Sequence, residues 1–204
     1  MPLFPMFLKL EGRRCVVIGA GKLAEPKIES LLNSGARVFV VAPRATPRIA
    51  QWSRQNKINW TRGKFHASSL AGAFLAIAAT GLPEINARIF TAARRRKILC
   101  NAVDDPLRCD FFYSAVLRRG PLQIAISTNG ASPALAQRLR CELERLLSPD
   151  FGAWVARLGE MRRKILAQSL PPVRRRRILC RIATPAHFRS FLKHRSESLP
   201  ARSR

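Results

Sequence analysis

Val16-Val-Ile-Gly19-Ala-Gly21-Lys-Leu-Ala24 is the stretch on which the fold turns. The apolar run Arg14-Cys-Val-Val-Ile-Gly19 reads as a buried strand. Lys22 to Asn33 reads as a helix, with Ile28, Leu31 and Leu32 on one face and Gly35 as a stop just beyond it. Between strand and helix the chain spells G-x-G-x-x-A. Gly19 permits a tight turn, Gly21 lets a pyrophosphate approach the backbone, and Ala24 lets helix and strand pack closely. Amides at the helix start, together with its dipole, form an anion site. Glycines alone often serve a plain turn, but here the strand before and the helix after supply the context that nucleotide binding requires.

Outward from this loop, apolar runs alternate with amphipathic stretches. Arg37 to Ala42 is a second strand ended by Pro43, Ala45 to Gln55 is helical, and Ile58 to Arg62 is a short strand. Phe74 to Ala79 is another buried strand, Glu84 to Arg96 a helix, and Lys97 to Asn101 the next strand. This alternation predicts an α/β fold: a Rossmann-type parallel sheet with helices on both faces. The end of the second strand normally carries an acid for the ribose hydroxyl. Here it reads Val40-Val-Ala-Pro-Arg44, so the residues themselves leave NAD and NADP both open. Pro26 is a second departure, because it removes one amide early in the helix and predicts a kink or a shifted start.

After Asp105 the pattern changes. Phe111 to Val116 and Leu122 to Ser127 read as strands separated by Arg118-Arg-Gly-Pro121. Ser132-Pro133 opens a helix running to about Leu147, with serine as cap and proline at the first helical position. Ser148-Pro-Asp150 punctuates. Trp154, Leu158, Met161 and Ile165 then recur on one helical face, as a core or a dimer seam would require. The expected domains are a dinucleotide-binding domain over 1–110, a small separate region over 111–148, and a helical, basic carboxy-terminal region over 149–204. Disorder is expected at Ala201 to Arg204.

Composition narrows the class further. Hydrophobic residues make up 47% of 204, which suits a globular protein, and no apolar run is long enough to span a bilayer. Met1 to Leu10 is apolar but short, with no basic leader or cleavage site, and reads as a first strand or a packed arm rather than a signal peptide. The five cysteines are odd in number and show no CxxC spacing. They are expected to be buried thiols in a reducing cytoplasm, with no disulfide framework and no metal site. Basic residues number 37 against 12 acidic, a net charge of +25. Residues 151–204 hold 14 basic and 2 acidic residues, close to half of that net charge. Such a balance favours polyanionic partners or an acidic small molecule, although a solvated arginine-rich surface accounts for much of it.

The string from Gly19 to Pro43, Leu75-Ala-Ile-Ala-Ala-Thr80, Cys100-Asn-Ala-Val-Asp104 and Pro121-Leu-Gln-Ile-Ala-Ile-Ser-Thr-Asn-Gly-Ala-Ser-Pro133 follow one another without large gaps. Together they resemble the precorrin-2 dehydrogenase/sirohydrochlorin ferrochelatase family, also the amino-terminal module of siroheme synthases, over roughly residues 3–165. The resemblance implies a Rossmann domain, a small dimerisation and substrate region over 111–148, a helical end and a homodimer. It implies NAD as cofactor, with contacts at Lys22, Leu23, Pro43 and Arg44 beside the loop residues Gly19, Gly21 and Ala24. It places the key acid at Asp104, just past a strand at the carboxyl end of the sheet, with Asp105 as its neighbour and rival. The implied reaction oxidises precorrin-2 to sirohydrochlorin, and in some relatives ferrous iron is then inserted. The family often carries glycine where Ala20 stands and arginine where Pro26 stands. Some fused members carry a phosphoserine at the position of Thr128. Two other readings compete: a nucleic-acid-binding protein, supported by Arg174 to Arg177 but lacking any recognisable module or interleaved aromatics, and a non-catalytic NAD-sensing domain.

Overall fold

The computed structural model describes residues 3–197. Contacts divide the chain into two compact units, Phe4–Tyr113 and a second built from Ser114 onward.

The first unit is a five-stranded, wholly parallel sheet in the order β3-β2-β1-β4-β5. Its strands are β1 (Arg14–Ile18), β2 (Arg37–Val41), β3 (Ile58–Thr61), β4 (Leu75–Ala78) and β5 (Leu99–Ala102). Helices α1 (Glu25–Asn33), α2 (Pro47–Arg54) and α3 (Pro83–Arg95) cover it. Val16, Val17, Leu75, Ala76 and Ile77 are almost wholly buried, as strands covered on both faces must be. One apolar layer gathers Cys15, Val17, Ile28, Leu31, Val38 and Ile49. The other gathers Val16, Ile18, Leu70, Ala76, Ile89 and Cys100. The register sets Thr61, Val41, Ile18, Ala78 and Ala102 in one row across the sheet, so every strand leaves at the same edge.

The second unit begins with a hairpin of β6 (Ala115–Arg119) and β7 (Leu122–Ile126). Four helices follow: α4 (Pro133–Leu146), α5 (Asp150–Leu166), α6 (Pro172–Ile182) and α7 (Pro185–Glu197). The Ser132 hydroxyl accepts from the Leu135 amide at 3.2 Å, the cap expected from Ser132-Pro133. Arg119 ties the hairpin to α4: it donates to the Leu147 and Glu144 carbonyls, both at 3.0 Å, and pairs with the Glu144 carboxylate at 3.2 Å. The stripe expected on α5 is half-buried, and at its start Trp154 packs on Phe188 of α7 with centroids 5.0 Å apart. The arginine run Arg174 to Arg177 lies on α6.

Four expectations change. Met1 to Leu10 forms no strand over its described residues, and Phe4, Met6 and Phe7 are 81%, 60% and 68% exposed, so it is not a packed arm within this chain; only Leu10 reaches the core. Helix α1 starts at Glu25 rather than Lys22, after a turn closed by the Ala24 amide on the Gly21 carbonyl at 3.0 Å. Pro26 therefore falls in the first helical turn, where its missing amide costs no ladder bond. Strand β6 starts four residues later than expected, because the chain around Phe111 is tied back to β5 instead. Of the cysteines, only Cys15 and Cys100 are buried; Cys180 is exposed. The expected disorder of Ala201 to Arg204 concerns residues outside those described.

Helix α5 meets the hairpin turn at a glycine. A Cβ at Gly152 would lie 2.8 Å from the Arg119 carbonyl. Gly152→Ala is therefore expected to cost about 1–3 kcal/mol in denaturant unfolding, despite the better helix propensity of alanine.

Candidate functional site

The row of strand ends fixes where the candidate residues emerge. Gly19 follows Ile18, Ala42 and Pro43 follow Val41, and Val103 and Asp104 follow Ala102. Strand order reverses between β1 and β4, and ligands of open α/β sheets bind at such a switch point, outside the carboxyl ends of the strands.

Gly19 has φ +106°, and a Cβ on it would stand 2.1 Å from the Ala79 carbonyl oxygen. Its amide bonds the Val41 carbonyl at 2.9 Å, and the Ala79 amide bonds the Ile18 carbonyl at 2.8 Å. Glycine is thus required here by both backbone conformation and close packing. Gly21 differs, since a Cβ there would meet nothing within 4 Å. Its backbone faces open space at the entry to α1, which fits the approach of a pyrophosphate. Ala24 is fully buried, as close helix–strand packing demands, while Lys22 and Leu23 are exposed on the turn. Ala20 is buried and takes no positive φ, so this position needs no glycine.

Pro43 and Arg44 are exposed in the loop after β2. That loop is held against the glycine turn by the Thr46 amide on the Ala20 carbonyl at 3.0 Å. Trp60 Nε1 fixes the end of β2 by donating to the Ala42 carbonyl at 3.0 Å. These residues and the glycine loop are brought together and can cradle the phosphate and ribose portions of a dinucleotide. Asp104 emerges on the other side of β1. Three strand spacings separate its strand from that of Arg44, about 14 Å. That is the scale of an extended dinucleotide.

Asp104 is exposed and sits at φ +63°, a left-handed conformation that aspartate tolerates better than most side chains. A clamp on β5 holds the loop that carries it. Asn101 Nδ2 donates to the Phe111 carbonyl at 2.8 Å, and the Asp110 amide donates to the Cys100 carbonyl at 2.8 Å. The Cys100 amide donates back to Asp110 Oδ2 at 3.0 Å. The Cys109 thiol donates to the Ala102 and Asp105 carbonyls, both at 3.2 Å. Asp105, the rival acid, is engaged by Arg108 at 2.5 Å. Among the described residues, no cluster of His, Cys, Asp and Glu could hold a metal.

Three residues escaped the sequence reading. Lys27, in the first turn of α1, lays its ammonium 3.8 Å over the ring of Tyr113. Burial lowers the proton affinity of this ammonium, and Asp104 and Cys109 oppose that effect. Partial burial raises the Tyr113 hydroxyl and the Cys109 thiol above their ordinary values. The one available signal was a cation at the positive end of a helix, a local rule broken.

Comparison with known proteins agrees with this geometry. Residues 6–115 match the family described as "Putative NAD(P)-binding", and residues 119–146 that described as "Sirohaem biosynthesis protein central". The chain belongs to the precorrin-2 dehydrogenase/sirohydrochlorin ferrochelatase family. Its Phe4–Tyr113 unit is accordingly an NAD(P)-binding one. The chain is 37% identical over 177 residues to siroheme synthase 3 of Aeromonas hydrophila, covering 87% of this chain and 38% of that protein. It is 35% identical over 184 residues to siroheme synthase 2 of Yersinia pseudotuberculosis, covering 90% and 39%. It thus spans under two-fifths of the length of these relatives. The solved structure of SirC, a precorrin-2 dehydrogenase, superposes with a TM-score of 0.80 at 27% identity, covering 95% of this chain and 96% of that one. No helix among the described residues is long and apolar enough to cross a membrane.

The two loop glycines should separate packing from binding. Gly21→Val is expected to melt with the parent protein yet lose NAD binding by calorimetry, because its side chain enters only the ligand's space. Gly19→Ala should instead lose more than about 2 kcal/mol of stability, through collision with the Ala79 carbonyl. At the acid, Asp104→Gly should raise stability by about 1 kcal/mol in thermal unfolding, by relieving the left-handed strain.

Proposed function

We propose that this chain oxidises precorrin-2 to sirohydrochlorin, with NAD as hydride acceptor and Asp104 as the acid–base residue. The observation that carries this reading is the position of Asp104: an exposed carboxylate, held in a left-handed conformation by a clamped loop, at the same sheet edge as the glycine turn. Gly19, Gly21, Lys22, Leu23 and Ala24 would hold the pyrophosphate, and Pro43 and Arg44 the adenosine end. When bound, NAD supplies the two-electron acceptor for the hydride. The substrate must also release a proton from the ring, and a carboxylate open to the site can accept it. The clamp through Asn101, Cys109 and Asp110 fastens the loop that carries that carboxylate. Arg108 occupies Asp105, which leaves Asp104 as the available acid.

The same reading extends to ferrous iron as a second substrate. Insertion of the ion into sirohydrochlorin displaces two ring protons, and the macrocycle's own nitrogens bind the metal. The protein then needs only a proton acceptor, and Asp104 fits that role as well. We take the working form to be a homodimer, as the family resemblance implies, in the cytoplasm that the cysteine usage favours.

Asp104→Ala tests the assignment. NAD affinity should stay within about twofold of the parent, while sirohydrochlorin formation followed by absorbance should fall by about 100-fold or more, the scale of a lost general base. Iron insertion should fall with it. Dehydrogenation at the parent rate in the folded variant would remove Asp104 from the reaction. Iron insertion that survives the loss of dehydrogenation would separate the two sites.

A further inference from the structure

Lys27 is an anomaly among the charges of α1. Glu25 and Glu29 on the same helix both pair with Arg48, at 3.9 and 2.5 Å. Lys27 forms neither an ion pair nor a side-chain hydrogen bond among the described residues. It lies in the first helical turn, where the helix dipole disfavours a cation. It is also half-buried, which disfavours the charge again. Two features offset these costs: the face of Tyr113, 3.8 Å from Nζ, and the field of Asp104. The ring grips the ammonium from one side only and leaves its N–H donors unused. An ammonium so placed, on an aromatic face and partly open to solvent, keeps N–H donors for an incoming anion.

We propose that Lys27, steered by the ring of Tyr113, is an anchor for a carboxylate arm of the substrate beside Asp104. This rests on the proposed activity, whose tetrapyrrole substrate carries acetate and propionate arms. A carboxylate on Lys27 would make charge-assisted hydrogen bonds in a partly desolvated setting, where they are strongest. It would also neutralise the cation at the helix start. Anchoring an arm here brings the macrocycle edge towards Asp104, so Lys27 is a positioning residue and takes no part in proton transfer. A phosphate of the dinucleotide is the other anion with this chemistry, and the assay must separate the two.

The test uses the full chain, with sirohydrochlorin binding followed by quenching of intrinsic tryptophan fluorescence, NAD binding by calorimetry, and precorrin-2 turnover. Lys27→Met should raise the sirohydrochlorin Kd and the precorrin-2 KM about tenfold or more, with kcat within about threefold and NAD affinity unchanged. Lys27→Arg should restore most of the affinity. Tyr113→Phe keeps the ring and should bind like the parent. Tyr113→Leu should weaken sirohydrochlorin two- to fivefold, about the worth of an exposed cation–π contact. A folded Lys27→Met that binds sirohydrochlorin like the parent overturns the anchor while leaving the proposed activity standing. A loss of NAD affinity instead assigns Lys27 to the dinucleotide phosphate and also overturns it. A parent chain that binds neither sirohydrochlorin nor precorrin-2 defeats the activity and the anchor together.

Discussion

The approach of Gly19 to the end of β4 is the contact on which the remaining geometry hangs. With no Cβ, Gly19 packs against the Ala79 carbonyl while its amide bonds Val41, so the chain leaving β1 is pinned between both neighbouring strands. From that point the turn through Ala24 has only one direction in which to enter α1. The direction of α1 then sets where the Gly21 backbone opens to solvent and where Lys27 points. A side chain at Gly19 would separate β1 from β4 at the crevice where strand order reverses, which is where parallel sheets bind their ligands.

A second constraint acts on the other side of that crevice. Asp104 has no regular structure of its own to hold it. Its loop is instead fastened to β5 at several points: Asn101 on Phe111, Asp110 on Cys100, and Cys109 on the carbonyls of Ala102 and Asp105. Such a loop can carry a left-handed aspartate because the surrounding bonds outweigh its local cost. The cysteine chemistry follows from burial. Burial pushes the Cys15 thiol up to about 11 and, with Asp110 adding to it, Cys100 up to about 12. These sulfurs are core atoms and not nucleophiles.

The large positive charge divides into surface and site. Arg138, Arg140 and Arg157 pair with glutamates on their own helices, Glu142, Glu144 and Glu160, and such exposed pairs contribute little. Lys27 has no such partner and lies instead on the face of Tyr113.

The α/β architecture was legible in the residues because it rests on local terms: apolar runs between amphipathic stretches, Gly19 and Gly21 between strand and helix, and Ser132-Pro133 as a cap. The family resemblance pointed to Asp104, and the structure places that residue just after β5. Pro26 signalled a kink or a shifted start of α1 without choosing between them, and the late start of β6 and the fate of Met1 to Leu10 were not legible. Each depends on which backbone groups already have partners elsewhere: Ala24 on Gly21, Phe111 on Asn101, and for the amino-terminal segment no strand partner among the described residues. The partnership of Lys27 with Tyr113 is the clearest case. Eighty-six positions separate them in the chain, and only the packing of α1 beside the loop after β5 brings the ammonium onto the ring. Local pattern determines which elements form; long-range packing determines which side chains share a site.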